Sequence, residues 1–240
     1  AVSCDVSEVQ VIDPTTKKSH RFEFERTFGP ESTQEEVFLD VQPLATSILD
    51  GYNVCIFAYG QTGSGKTYTM EGYPTDRGVN YRTLDELFSI IHDRREDYTY
   101  EVKVAVMEIY NETIMDLLSK DKQRLEVKMA GQVSVPGLTT VTVTSPQQVI
   151  ETLSRGYKIR SVGANNINAD SSRSHCIVSV YIEGINHVSK QKISGKLHLI
   201  DLAGSERLKR TETTGDRLKE SLAINKSLSS LGDVITALAA

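Results

Sequence analysis

Residues 53–67 read NVCIFAYGQTGSGKT. The first seven form a short apolar run of the kind found in buried parallel strands, and a Gly-rich turn follows at once. Gly60-Gln61-Thr62-Gly63-Ser64-Gly65-Lys66-Thr67 then matches the phosphate-loop pattern of two glycines separated by four residues and followed by Lys and Thr. Each residue type has a task. The glycines let the backbone wrap closely and aim its N–H groups at phosphate oxygens. The positive end of the helix that follows adds to that field. Lys66 neutralises the outer phosphates, and the Thr67 hydroxyl is offered to magnesium. The plainer reading is a Gly-rich surface turn. The apolar strand directly ahead of the string argues against it, so this stretch predicts binding of a nucleoside triphosphate with Mg2+.

Outward from that loop, strand and helix signals alternate. Tyr81, Leu84, Leu87, Phe88 and Ile91 recur at helical spacing. Val102, Val104 and Val106 alternate along a strand running to about Tyr110. Residues 133–143 read as short strands turning at Pro136-Gly137, and a helix is predicted from Pro146, at its first turn, to about Arg160. Two long strands follow, over 175–185 and 193–201, separated by a polar hairpin turn around 186–189. The last element is a helix carrying Leu222, Leu228, Leu231, Ile235 and Leu238. No linker, repeat or low-complexity tract interrupts the order. The pattern predicts one α/β domain of the P-loop NTPase class, with a central, mostly parallel sheet and helices on both faces. Active loops are then expected at the C-terminal ends of strands.

Composition narrows the function classes. The 240 residues suffice for one domain with a sizeable core. No apolar run approaches the roughly 20 residues that cross a bilayer, and the N-terminus has no secretion-signal pattern. It also lacks an initiator Met, so the chain reads as a piece of something longer. The net charge of -5 argues against non-specific nucleic-acid binding, although an acidic total can hide a local basic face. Cys4, Cys55 and Cys176 are too far apart for a disulfide framework or metal spacing, and reduced thiols are expected. Cys55, inside the apolar strand, reads as a buried structural thiol.

A phosphate loop binds but does not by itself hydrolyse. Two further polar strings sit at strand ends: Asn168-Ala169-Asp170-Ser171-Ser172-Arg173-Ser174-His175 before one strand, and Asp201-Leu202-Ala203-Gly204-Ser205-Glu206 after another. An Asp at a strand end can hold magnesium through a water. A glycine three residues on can bring its N–H to a terminal phosphate. His175 is a poor candidate for a catalytic base, because it starts a strand and is better placed to anchor it.

Taken in order, GQTGSGKT, NxxSSRSH and DLAGSE resemble the P-loop, switch I and switch II of the kinesins. The flanks agree: Phe57-Ala58-Tyr59 before the loop, Tyr68-Thr69-Met70-Glu71-Gly72 after it, Glu108-Ile109-Tyr110-Asn111-Glu112, and Ile224-Asn225-Lys226-Ser227-Leu228 at the start of a relay helix. The resemblance implies that Lys66 and the amides of residues 63–67 hold phosphates. It implies that Thr67 and Ser172 complete the magnesium and γ-phosphate shell, with Asp201 supporting the metal from behind. Ser171 would help place the attacking water, Gly204 would sense the γ-phosphate, and Tyr68 would stack on adenine. Arg173 and Glu206 would pair to close the switches, and a relay of two waters near Glu206 would serve as base. The activity implied is ATP hydrolysis coupled to movement on microtubules.

By the same resemblance, Arg207, Lys209, Arg210, Arg217 and Lys219 belong to a surface facing acidic tubulin, and Lys120, Lys122, Arg124 and Lys128 add to it. Glu212 and Asp216 are the acidic side chains within that stretch. The implied setting is the cytoplasm and its microtubule cytoskeleton, the spindle included, in a longer protein that dimerises through other regions. A family strand with an Arg-x-Arg-Pro string is expected before Ala1, and a further helix, strand and final helix after Ala240, so the motor fold is read as truncated at both ends. Ala58-Tyr59 and Arg77-Gly78-Val79-Asn80-Tyr81-Arg82 look most like the branch with C-terminal, minus-end-directed motors. A GTPase shares the Asp-x-x-Gly string, but Asn225-Lys226-Ser227 ends in Leu228 where a guanine site needs a carboxylate. A second alternative is a microtubule-binding scaffold without turnover. Against it, Lys66, Thr67, Ser172, Arg173, Asp201, Gly204 and Glu206 are all in place.

Overall fold

The computed structural model of the chain describes residues 2–120, 124–130, 132–166, 171–206 and 216–239. In chain order it forms β1 (Val2–Cys4), β2 (Glu8–Ile12), β3 (Ser19–Glu23), α1 (Gln34–Val41), α2 (Pro43–Leu49), β4 (Asn53–Ala58), α3 (Lys66–Met70), β5 (Gly72–Tyr73), β6 (Asp76–Arg77) and α4 (Val79–Asp93). Then come β7 (Tyr98–Tyr110), β8 (Thr113–Asp116), β9 (Arg124–Leu125), β10 (Lys128–Ala130), β11 (Gln132–Ser134), β12 (Val141–Val143) and α5 (Pro146–Asn166). A 3₁₀ turn (Ser171–Arg173), β13 (His175–Asn186), β14 (Lys192–Asp201) and α6 (Asp216–Ala239) complete the order.

The main sheet runs β4-β14-β13-β7-β8-β9, with β12 also paired to β7. Only β4 and β14 are parallel, and the other described pairs are antiparallel. The sheet is therefore mixed, which corrects the mostly parallel reading. Short connections explain it. β13 and β14 join through a tight turn in which Asn186 Oδ1 accepts from the N–H groups of Val188 and Ser189, at 3.0 and 2.9 Å. β7 and β8 join at Asn111 and Glu112, whose φ values of 48° and 60° suit a two-residue hairpin turn. Connections this short can join only antiparallel neighbours.

Residues 175–180 of β13 are buried without a break, so both faces of the sheet are covered there. On one face Val178, Val180, Val104, Val106, Leu197 and Leu199 pack with Ile48 of α2, Leu84 and Leu87 of α4, and Leu153 of α5. Burying each such side chain contributes about 1.5–3 kcal/mol. On the other face Ile177 packs with Met107, Ile114 and Leu125. There His175, on the same side of the strand as Ile177, reaches α6 at Ser227. Helices thus lie on both faces, as the alternating pattern predicts.

Local sequence sets the edges of these elements. Thr33 caps α1 by accepting from the Glu36 N–H, while the Glu36 carboxylate accepts from the Thr33 N–H at 2.8 Å. Pro43 opens α2. Where α2 lies on β14, only glycine fits: a Cβ on Gly195 would stand 3.1 Å from the Ile48 carbonyl carbon and closer to its oxygen. Two expectations change. Cys55 is exposed, because β4 pairs only with β14 among the described residues. The buried thiol is Cys176, 3% exposed, and burial pushes its pKa up to about 12. The strands within 133–143 do not pair with each other: β11 pairs with β10 and β12 with β7.

Candidate nucleotide site

The mixed sheet is what assembles the site. Parallel pairing sets Asp201, the last residue of β14, beside Ala58, the last of β4. Antiparallel pairing sets Cys176, near the start of β13, beside Asp201 as well. One sheet edge therefore gathers the loop after β4, the 3₁₀ turn before β13 and the loop after β14.

In the first loop, Gly63 and Gly65 adopt φ of 79° and 92°, and a Cβ on either would meet nothing within 4 Å. The backbone there is curled as only glycine readily allows, around open space. Lys66 is 9% exposed and donates from Nζ to the carbonyls of Gly60 (2.9 Å) and Gln61 (3.0 Å). Thr67 Oγ1 donates to Asp201 Oδ2 at 2.6 Å. Asp201 is 5% exposed, and among the described residues its Oδ1 has no hydrogen-bond partner. A buried carboxylate oxygen left bare is costly, and a metal-bound water is one group that satisfies it. Among the described residues no cluster of three His, Cys, Asp or Glu could hold a metal. The Thr67 hydroxyl beside the Asp201 carboxylate is a donor set that fits a magnesium ion keeping several waters better than a carboxylate cage.

The three loops are tied by hydrogen bonds. The Gly204 N–H donates to the Ser172 carbonyl at 2.7 Å, and the Ser205 N–H to the Gly60 carbonyl at 3.0 Å. The Thr62 N–H donates to the Glu206 carboxylate at 2.8 Å, and the Thr62 hydroxyl donates to its other oxygen. Partial burial raises the Glu206 carboxyl, but the Thr62 hydroxyl and amide and the nearby Lys66 charge outweigh it and hold the pKa below the usual value. Thr62, Ser172, Arg173, Gly204, Glu206, Glu220, Ser221 and Ile224 line one cavity of about 200 Å³.

Residues 3–240 of the chain match the family model of the kinesin motor domain. The chain belongs to the kinesin motor family. The Arabidopsis thaliana kinesin-like protein KIN-14K is 54% identical over 239 residues, 97% of this chain and 23% of its own length. The motor thus spans about a quarter of that relative. The solved structure of a fast kinesin superposes with a TM-score of 0.90 at 40% identity, covering 99% of this motor and 69% of that chain. The C-terminal motor of Kar3Vik1, fused to a synthetic heterodimeric coiled coil, gives a TM-score of 0.86 at 40% identity over 96% of this motor and 60% of that chain. Kar3Vik1 carries a C-terminal motor, the branch that residues 58–59 and 77–82 resemble.

Against this geometry, the kinesin expectations divide. Gly60, Thr62, Lys66, Thr67, Ser172, Asp201, Gly204 and Glu206 are brought together. Gln61 contributes its carbonyl to Lys66, and Ser64 lies exposed on the loop. Ser171 begins the 3₁₀ turn, and its side chain lies outside the described set. Tyr68 is 44% exposed, with its ring 5.3 Å from that of Tyr73. The expected Arg173–Glu206 pair is not made. Arg173 Nη1 instead donates to Glu220 at 2.9 Å, while Glu206 is held by Thr62. Of the basic surface, Lys120, Arg124, Lys128 and Lys219 are exposed. Asn168, Ala169, Asp170, Lys122, Arg207, Lys209, Arg210 and Glu212 lie outside the described residues, as do the side chains of Asp216 and Arg217.

Sequence reasoning missed the buried charges behind the loops. Arg160, 9% exposed, donates from Nε to Glu108 (3.2 Å) and from Nη2 to the Ser174 carbonyl (3.3 Å), and its Nη1 lies 3.9 Å from both Glu71 and Asp201. Burial pushes the Glu71 carboxyl up to about 7, with Arg160 opposing and Asp201 adding to the shift. A carboxyl raised this way contributes stability that is fully present below its ordinary 4.5 and lost as pH rises through about 7. Glu71→Gln removes that titration. Relative to wild type it is expected to gain about 2 kcal/mol between about pH 5 and about pH 8, read from urea midpoints at the two pH values.

Proposed function

We propose that this domain hydrolyses ATP with Mg2+ and couples the reaction to microtubule binding and movement. The observation that carries the reading is the set of bonds joining the three loops: Thr67 to Asp201, Gly204 to Ser172, and Thr62 to Glu206. A change at a terminal phosphate held by the first loop would be felt at once by the other two. Magnesium, when bound, neutralises charge on the transferred phosphoryl group. The chain's own residues do the rest. Lys66 swings from the loop carbonyls onto the outer phosphates. Ser171 and the Ser172 carbonyl side of the 3₁₀ turn orient the attacking water, and the Gly204 N–H reports the terminal phosphate. Glu206, kept ionised by Thr62 and Lys66, accepts the proton through water, and Arg173 transfers from Glu220 to Glu206 as the loops close. Tyr68 offers its ring face to the adenine.

The partner in this reading is the acidic tubulin surface, met by the exposed Lys120, Arg124, Lys128 and Lys219 together with the basic residues between Glu206 and α6. Charge contacts of this kind weaken with salt. The working place is the microtubule cytoskeleton, in a longer protein that dimerises elsewhere and whose remaining motor strands and helices flank this segment. Among the described residues no helix is long and apolar enough to cross a membrane. Glu206→Ala tests the chemistry: ATP turnover is expected to fall about 100-fold with nucleotide affinity retained. Turnover at the wild-type rate would remove Glu206 from the mechanism.

A further inference from the structure

His175 takes part in none of these steps, yet both its ring nitrogens are engaged. It is 7% exposed at the start of β13. Nδ1 lies 3.0 Å from the backbone nitrogen of Ala203, and Nε2 lies 2.8 Å from Ser227 Oγ. A backbone amide can only donate, so Nδ1 must be the bare, accepting nitrogen. A neutral ring then carries its proton on Nε2 and donates it to Ser227. The Ser227 hydroxyl in turn donates to the Ile224 carbonyl at 2.8 Å. Every proton in the chain Ala203 N–H, imidazole, Ser227 hydroxyl, Ile224 carbonyl has one place to go. Burial, helped by the Arg160 charge, pushes the His175 pKa down to about 4, so the ring keeps this neutral form through neutral pH.

The two ends of that chain matter. Ala203 precedes Gly204, whose N–H is bonded to the Ser172 carbonyl. Ser227 sits two turns along α6 from Glu220, the residue holding Arg173, and one turn beyond Ile224, which lines the cavity. We infer that His175 is a positioning residue that links the backbone at Ala203–Gly204 to the α6 turn at Ile224–Ser227, so that a shift of the loop is passed to the helix. The bonds stand on their own. What the transmitted shift accomplishes rests on the proposed motor function.

Ser227→Ala cuts the link at its α6 end and leaves the Ala203 bond to His175 intact. In the intact protein it is expected to keep the basal ATPase rate and the KM for ATP within about twofold, while the microtubule-stimulated kcat falls about five- to tenfold. Ser227→Thr, which keeps the hydroxyl, is expected to restore most of the stimulation. Unchanged stimulation in Ser227→Ala would overturn the inference, and so would an equal fall in basal and stimulated rates together with a lower melting temperature. The same variants are read by amide exchange of residues 216–232 with ADP and with a nonhydrolysable ATP analogue. A nucleotide-dependent difference present in wild type and lost in Ser227→Ala supports the link, and one retained in Ser227→Ala refutes it. That readout needs no microtubules, so a wild-type protein that microtubules fail to stimulate counts against the proposed function and leaves the link to be decided by exchange.

Discussion

Lys66→Ala lowers kcat/KM for ATP by about a thousandfold, or about 4 kcal/mol of transition-state stabilisation, in a protein that remains folded. The side chain is buried, with Nζ donating to the carbonyls of Gly60 and Gln61 at 2.9 and 3.0 Å. It is the cation that the loop itself supplies. Removing it leaves the phosphates facing backbone amides alone, while water replaces it at the two carbonyls of an exposed loop. The loss therefore falls on chemistry and binding more than on stability. Steady-state kinetics beside a thermal melt separates the two. A variant with wild-type kcat/KM would show that phosphate is held elsewhere.

Arg160→Ala strikes the fold instead. It is expected to remove about 3–5 kcal/mol of stability, because deleting one member of a buried ion network leaves the others uncompensated. Glu108 is 7% exposed and, among the described residues, would keep Ser174 Oγ, which donates to it at 2.6 Å. Asp201 and Glu71 would lose the Arg160 guanidinium, which lies within 4 Å of both. The Ser174 carbonyl, two residues after Ser172, would lose its donor too, so the 3₁₀ turn loosens along with the core. A guanidinium chloride titration measures this directly. A midpoint matching wild type would mean that water reaches these carboxylates.

How much of this was legible in the sequence depends on distance along the chain. The strand, turn and helix around residues 53–70 were readable because the phosphate loop is local: glycine spacing, Lys and Thr lie within eight residues of one another. Asp201 and Gly204 were readable for the same reason, as a short string after an apolar strand. The meeting of Asp201 with Thr67, 134 residues away, required the sheet order and became visible only in the register of β14 on β4. The alternation of strand and helix signals suggested a mostly parallel sheet, yet the polar hairpin turn between 175–185 and 193–201 already required one antiparallel pair. Cys55 looked buried because its neighbours are apolar, although burial depends on what covers β4. Arg160 gave no local signal, since a lone arginine late in a helix is usually solvated. Its partner Glu108 stands 52 residues earlier. The Arg173–Glu206 pairing followed from resemblance, and a resemblance carries a family's closed arrangement without saying which carboxylate holds the arginine here. Glu220 lies on a separate helix, 47 residues beyond Arg173.

The most direct test of the whole reading is the ATPase rate of the intact protein, with magnesium, with and without microtubules, at about 25 mM and about 150 mM salt. The account predicts turnover that microtubules raise severalfold and that loses much of its stimulation at the higher salt. Folded protein that binds no ATP, or that hydrolyses it at one rate whether or not microtubules are present, would contradict it.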